Sequence, residues 1–147
     1  MSLQELYREV ILDHYRNPRN RAVLETADAS ADGVNPLCGD EIHLELAFDG
    51  DRVAAVSVTG HGCSISQSSA SMMSEAIKDK THSEIQELTE KFRAMMDLEG
   101  DSQLHLDPDR PGAVLGDLES LQGVRKYPVR IKCANLAWTT LAEALAG

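Results

Sequence analysis

Ile42, Leu44, Leu46 and Phe48 alternate with His43, Glu45 and Ala47, and this period of two predicts a strand with one buried face. Asp49-Gly50 then signals a hairpin into a second, valine-rich strand over residues 52–59. A two-residue loop places Val53 opposite Leu46, but Val56 and Val58 have the other parity. A bulge, or a sheet covered on both faces, reconciles them. If extended geometry continues backward from Ile42, Asp40 and Cys38 share its face and His43 points away.

Elsewhere the period is helical. Ser2 and Glu5 form a capping box ahead of the stripe Leu3, Leu6, Tyr7, Val10, Ile11, His14 and Tyr15, and Asn17-Pro18 ends that helix. Such a first helix is expected to pack on the domain with a detachable fringe. Residues 23–29 read as a short strand, with Ala31-Asp32-Gly33 as a turn. Gly60-His61-Gly62-Cys63 reads as a flexible turn into a helix over residues 64–78, with Ile65, Ser69, Met72, Met73, Ala76 and Ile77 inward. Ser66, Ser68, Ser69 and Ser71 are assigned to close packing and surface, because no general base is paired with them in the pattern. Thr81 and Glu84 cap a further helix bearing Ile85, Leu88, Phe92, Met95 and Met96, the methionines being core. Residues 99–112 are polar with two prolines and read as a loop, followed by a short helix over residues 117–122 that ends at Gly123. Pro128 opens the last helix, whose inner stripe is Val129, Cys133, Leu136, Ala137, Thr140, Leu141, Ala144 and Leu145, with Ile131 and Trp138 on a second apolar side.

The 147 residues suit one domain over 1–147, large enough to fold without a disulfide framework. No basic region followed by an apolar run opens the chain, and no apolar stretch reaches membrane-spanning length, so a soluble, cytoplasmic protein is expected. A formal charge of −10 makes nucleic acid an unfavourable partner. The charge is uneven: residues 78–119 carry eleven acidic and five basic side chains, whereas residues 121–147 carry four basic ones opposed by Glu143 alone. Arg130 and Lys132 flank Cys133, where they suit either an anionic site or the exposed start of a helix.

Three cysteines, an odd number, fit a reducing compartment with thiols available. Cys38-Gly39-Asp40 sets a soft thiolate and a hard carboxylate two residues apart, with a glycine that lets both reach one cation. With Cys63 and Cys133 the donors number three sulfurs and one oxygen, enough for a closed four-coordinate zinc site. His61 is a second candidate for the fourth donor. Cys63 sits at a helix start, where backbone amides favour a thiolate. On spacing alone, three small core residues fit as well as a metal site. Position favours the site, because Cys38 lies in a loop and the other two at helix beginnings.

The stretches His14-Tyr15-Arg16-Asn17-Pro18-Arg19-Asn20, Asn35-Pro36-Leu37-Cys38-Gly39-Asp40, Gly62-Cys63-Ser64-Ile65-Ser66 and Arg130-Ile131-Lys132-Cys133 resemble the U-type iron-sulfur assembly proteins, above all the SufU branch. The resemblance runs over nearly the whole chain. It implies an α+β fold, a small antiparallel β-sheet with helices packed on it in the SufU/IscU-like manner, and a metal site at one end. It implies Cys38, Asp40, Cys63 and Cys133 as zinc ligands and Cys38 as the sulfur acceptor; thiol chemistry adds Arg130 as a support for the detached thiolate. The implied activity is that of a zinc-dependent sulfurtransferase in iron-sulfur cluster biogenesis. Its implied partners are a SufS-like cysteine desulfurase and a downstream iron-sulfur assembly scaffold, with no nucleic acid and no membrane. The alternative is a scaffold that builds a [2Fe-2S] cluster on the same four residues. The IscU-like scaffold branch usually has a histidine before the last cysteine, where this chain has Lys132, and the SufU branch resembles this chain in its extra residues after Met96. Both features point toward sulfur transfer.

Overall fold

A computed structural model of the protein describes residues 2–96, 106 and 109–146. Three antiparallel strands, β1 (Ala29–Asn35), β2 (Asp40–Asp49) and β3 (Arg52–His61), form one sheet in chain order. Around them lie α1 (Leu3–Arg16), α2 (Ser64–Ile77), α3 (His82–Met96), a 3-10 helix (Gly116–Lys126) and α4 (Pro128–Ala146). The architecture is α+β, as expected.

The alternation in β2 is borne out: Asp40, Ile42, Leu44 and Leu46 are buried in one row, and α4 and α2 pack on that side. The predicted bulge is present. Asp49 pairs with Arg52 and Phe48 with Val53, but Ala47 pairs with Ala55, so Ala54 is the extra residue. The shift in parity lets Val53, Val56 and Val58 all be buried. The turn uses Gly50-Asp51 in place of Asp49-Gly50, with Gly50 at φ +66.

The first strand lies later than its composition suggested. Val23 is exposed, and Ala31-Asp32-Gly33, expected as a turn, forms the middle of β1. The reason is tertiary: a Cβ on Gly33 would stand 2.0 Å from Thr140 Oγ1, so the glycine is where α4 approaches the sheet. Likewise Gly60-His61-Gly62 is no flexible turn. β3 continues to His61, and a Cβ on Gly60 would meet the Glu41 carbonyl oxygen at 2.0 Å.

Helix α2 is the central strut. Its serines, assigned in part to the surface, are buried together with Gln67, Ala70, Met72 and Met73. Short side chains let neighbouring helices close on it, and each hydroxyl finds a partner. Ser69 Oγ donates to the Ala134 carbonyl at 2.7 Å and accepts from Trp138 Nε1 at 3.3 Å. Ser71 Oγ lies 2.8 Å from His14 Nδ1, and His14 Nε2 lies 2.8 Å from Asp117 Oδ2. This relay ties α1, α2 and the 3-10 helix. His14 is the buried residue of α1, whereas Tyr15, placed on its inner stripe, is exposed.

Both capping features form: Ser2 Oγ accepts from Glu5 N at 3.1 Å, and Thr81 and Glu84 bond reciprocally at 3.0 and 3.2 Å. Phe92 of α3 stacks on Trp138 of α4 with ring centroids 4.5 Å apart, and Met95 and Met96 are core. The 3-10 helix runs past the expected stop at Gly123 to Lys126, because Leu121 and Val124 both face the core. Val129, placed on the inner stripe of α4, is exposed on its first turn. Most of the polar loop expected over residues 99–112 lies outside the described residues. No helix among the described residues is long and apolar enough to cross a membrane.

On the outer face His43 bonds Asp32, its cross-strand partner, at 2.7 Å, and that bond raises the imidazole pKa above 6.5. A raised folded-state pKa adds stability below the unfolded pKa and loses it as pH climbs through the folded value. The pair is partly exposed, so the native chain should exceed His43→Gln by about 0.2–1 kcal/mol at pH 5.5. Urea unfolding from pH 5.5 to 8.5 should show this difference shrinking with rising pH.

Candidate metal centre

The centre is built on the β1–β2 hairpin. Asn35 and Asp40 are register partners, and the four residues between them form the loop. The Cys38 amide donates to the Asn35 carbonyl at 3.2 Å, and Gly39 takes φ +67, a left-handed conformation that glycine adopts without strain. Asp40 lies on the buried face of β2, as expected. Cys38 is not in extended backbone, so it does not share the face of Ile42 by alternation. The turn at Gly39 brings it round instead.

The sulfurs arrive from three elements. Cys133, on the second turn of α4, is completely buried, with its Sγ 3.3 Å from Cys38 Sγ. That is far beyond a disulfide bond of about 2.05 Å, and all three cysteines are free. Cys38, Asp40 and Cys133 each offer one ligand atom within 4.8 Å of the others. Cys63 stands at the edge of this trio. As N-cap of α2 it accepts from Ser66 N at 3.5 Å, and its Sγ lies 3.9 Å from Asp40 Oδ2.

Asp40 has no exposed surface, yet no ion pair among the described residues includes it. It is held by neutral donors: the Cys63 amide at 2.8 Å on Oδ1 and the Asn35 amide at 3.5 Å on Oδ2. A carboxylate buried without a counter-charge is costly, and a cation among these oxygens and sulfurs relieves that cost. Burial, then the adjoining Cys38 and Cys63 thiols and Asp40, push the Cys133 thiol far above the usual thiol range. Binding a divalent cation favours the thiolate form of such a buried thiol. A tetrahedral zinc holds its sulfurs about 3.8 Å apart, so the Cys38 and Cys133 atoms need only a few tenths of an ångström of opening. The donor set fits a borderline-soft metal.

The other candidates fall outside. His61 is exposed and bonds Glu41 at 2.9 Å, away from the cluster. Arg130 is exposed on the first turn of α4, on the rim of a groove of about 600 Å³ that Tyr7, Ile11, Ile65 and Tyr127 also line. Sequence reasoning missed Asn35, whose side chain touches both Asp40 and Cys133. The register pairing with Asp40 that aims it inward is a property of the hairpin and not of any local pattern.

The family model for the NifU-like N-terminal domain matches residues 6–134. The chain is 45% identical to the zinc-dependent sulfurtransferase SufU of Bacillus subtilis, covering 99% of this chain and 92% of that one. It is 38% identical to the iron-sulfur cluster assembly scaffold protein IscU of Streptococcus pyogenes, over 97% of this chain and 84% of that one. A crystal structure from Fervidobacterium islandicum AW-1, named a candidate iron-sulfur cluster assembly scaffold protein for the SUF system, superposes with a TM-score of 0.81 at 36% identity. It covers 97% of this chain and 98% of its own.

Gly62 holds Asp40 from below: at φ +149, a Cβ there would lie 2.3 Å from Asp40 Oδ1 and 2.8 Å from its Cα. Gly62→Ala should therefore destabilise the metal-free chain by about 1–3 kcal/mol in urea unfolding. An unchanged midpoint would show that the end of β3 yields without cost.

Proposed function

The chain belongs to the NifU-like N-terminal domain family, and from that premise we propose that it is a zinc-dependent sulfur acceptor in iron-sulfur cluster biogenesis. The observation that carries this reading is the convergence of Cys38, Asp40 and Cys133, with Cys63 beside Asp40, at one end of the sheet. Cys38, Asp40, Cys63 and Cys133 would hold the ion. Zinc, when bound, supplies charge that keeps thiolates deprotonated near neutral pH.

The chain's own residues divide the work. Cys133 is locked in the core, and Cys63 is tied into the first turn of α2. Cys38 sits in a partly exposed hairpin loop, next to the exposed Leu37, where a partner can reach it. As a thiolate, Cys38 would attack the outer sulfur of a cysteine desulfurase persulfide. The new bond is Cys38 S–S, the old persulfide bond breaks, and the desulfurase cysteine leaves as a thiolate. The protonated outer sulfur then rides on Cys38. Arg130, exposed on the first turn of α4 three residues before Cys133, is the cation that would steady the detached Cys38 thiolate. A SufS-like desulfurase is the proposed donor, and a downstream iron-sulfur assembly scaffold the proposed recipient.

Lys132 bears on the scaffold alternative. Its ammonium has no lone pair to replace a histidine ligand, and it is exposed. Aerobically isolated protein should be colourless with one zinc per chain; a stable coloured [2Fe-2S] species after anaerobic reconstitution would favour the scaffold.

In single-turnover loading from a desulfurase, native chain should trap a persulfide on Cys38, and Cys38→Ser should trap none by mass spectrometry. A persulfide on Cys63 or Cys133 in the variant would overturn the assignment. Structural zinc contributes about 10–16 kcal/mol of binding free energy in small peptides, comparable to the ~5–15 kcal/mol of a whole domain. Chelation should therefore lower the melting temperature by many degrees in a calorimetric scan, and zinc should restore it.

A further inference from the structure

The three sulfurs of the centre are not equivalent in their hydrogen bonds. Cys63 Sγ accepts from the Ser66 backbone amide at 3.5 Å. Cys133 Sγ accepts from Asn35 Nδ2 at 3.7 Å, within the range of an N–H···S bond. Cys38 Sγ is given no N–H donor among the described residues; its partner is the Cys133 thiol at 3.3 Å. An N–H bond to a thiolate draws charge off the sulfur. It lowers nucleophilicity and, at a metal, favours retention of the ligand.

From this pattern we infer that Asn35 is a positioning residue that marks Cys133 as a retained ligand and leaves Cys38 as the sulfur that departs and reacts. The inference rests on the sulfur-acceptor reading above and adds to it the device that selects among the cysteines. Asn35 is built for the task. It ends β1, lies 8% exposed, pairs in register with Asp40 and accepts the Cys38 amide on its own carbonyl. Its neighbour Val34 points outward and is exposed, as alternation requires. The same Nδ2 lies 3.5 Å from Asp40 Oδ2, so one amide spans two donor atoms of the centre. An aspartate here would set a second carboxylate against Asp40. A leucine would keep the volume and leave both acceptors without this donor.

The test uses the full chain carrying zinc, cobalt or cadmium. In the native protein, limited alkylation with iodoacetamide should modify Cys38 first and leave Cys133 protected. Asn35→Leu should weaken zinc about 10–100-fold in competition with a chromophoric chelator. The thiolate-to-metal charge-transfer band of the cobalt form should move in energy as the Cys133 sulfur loses its hydrogen bond. Asn35→Asp, nearly the same shape with the donor replaced by an acceptor, should move the band as well.

Should either variant fail to fold, the native cadmium-113 form decides: a through-bond coupling between the metal and the Asn35 side-chain amide proton is expected. Absence of that coupling, or folded variants with an unmoved band and native zinc affinity, would overturn the role of Asn35. That failure is separable from failure of the function itself. Native chain that still loads sulfur on Cys38 upholds the acceptor reading, whereas native chain that binds no zinc or loads sulfur elsewhere overturns it.

Discussion

A carboxylate with no surface open to water governs this end of the molecule. Asp40 begins the central strand on its buried face, and no lysine, arginine or histidine among the described residues pairs with it. Neutral amides from Asn35 and Cys63 hold its oxygens, and thiols occupy the remaining space. A charge so placed is costly without a cation beside it, and in the proposed centre the neighbouring thiols would supply the other ligands. Metal binding and the stability of the sheet end are therefore one problem.

The rest of the fold serves to keep those groups within reach. The Asn35-to-Asp40 hairpin carries Cys38, the end of β3 delivers Cys63 into the first turn of α2, and α4 brings Cys133 down onto β1. Glycines sit where these pieces touch. Gly33 admits Thr140 of α4, and Gly60 and Gly62 admit the start of β2. A side chain at any of these three would push one element away from the donors. The serine-rich α2 does the same at the scale of helices, because hydroxyls that bond neighbouring backbone and side chains allow closer approach than leucines.

Rigidity is graded across the centre. Cys133 is enclosed by core residues and Cys63 is a helix cap, whereas Cys38 rides on a loop between exposed Leu37 and Gly39. The proposed sulfur transfer would need one ligand that can leave and others that stay, and this difference in burial suits that division. The chain is similar to relatives named as a sulfurtransferase and as a scaffold alike.

Much of this was legible locally. Alternation fixed β2 and the row that buries Asp40, the parity conflict announced the bulge, the capping boxes marked α1 and α3, and the four short motifs pointed to Cys38, Asp40, Cys63 and Cys133. Those features depend on neighbours one to four residues apart. What a linear pattern does not contain is the approach of distant segments: that Gly33 belongs to a strand because α4 presses on it, that the serines of α2 are interior, and that His14 reaches Asp117 across α2. Asn35 is the sharpest case. The motif that contains it drew attention to Cys38 and Asp40, and only cross-strand pairing with Asp40 and the descent of Cys133, 98 residues away, give its amide two acceptors.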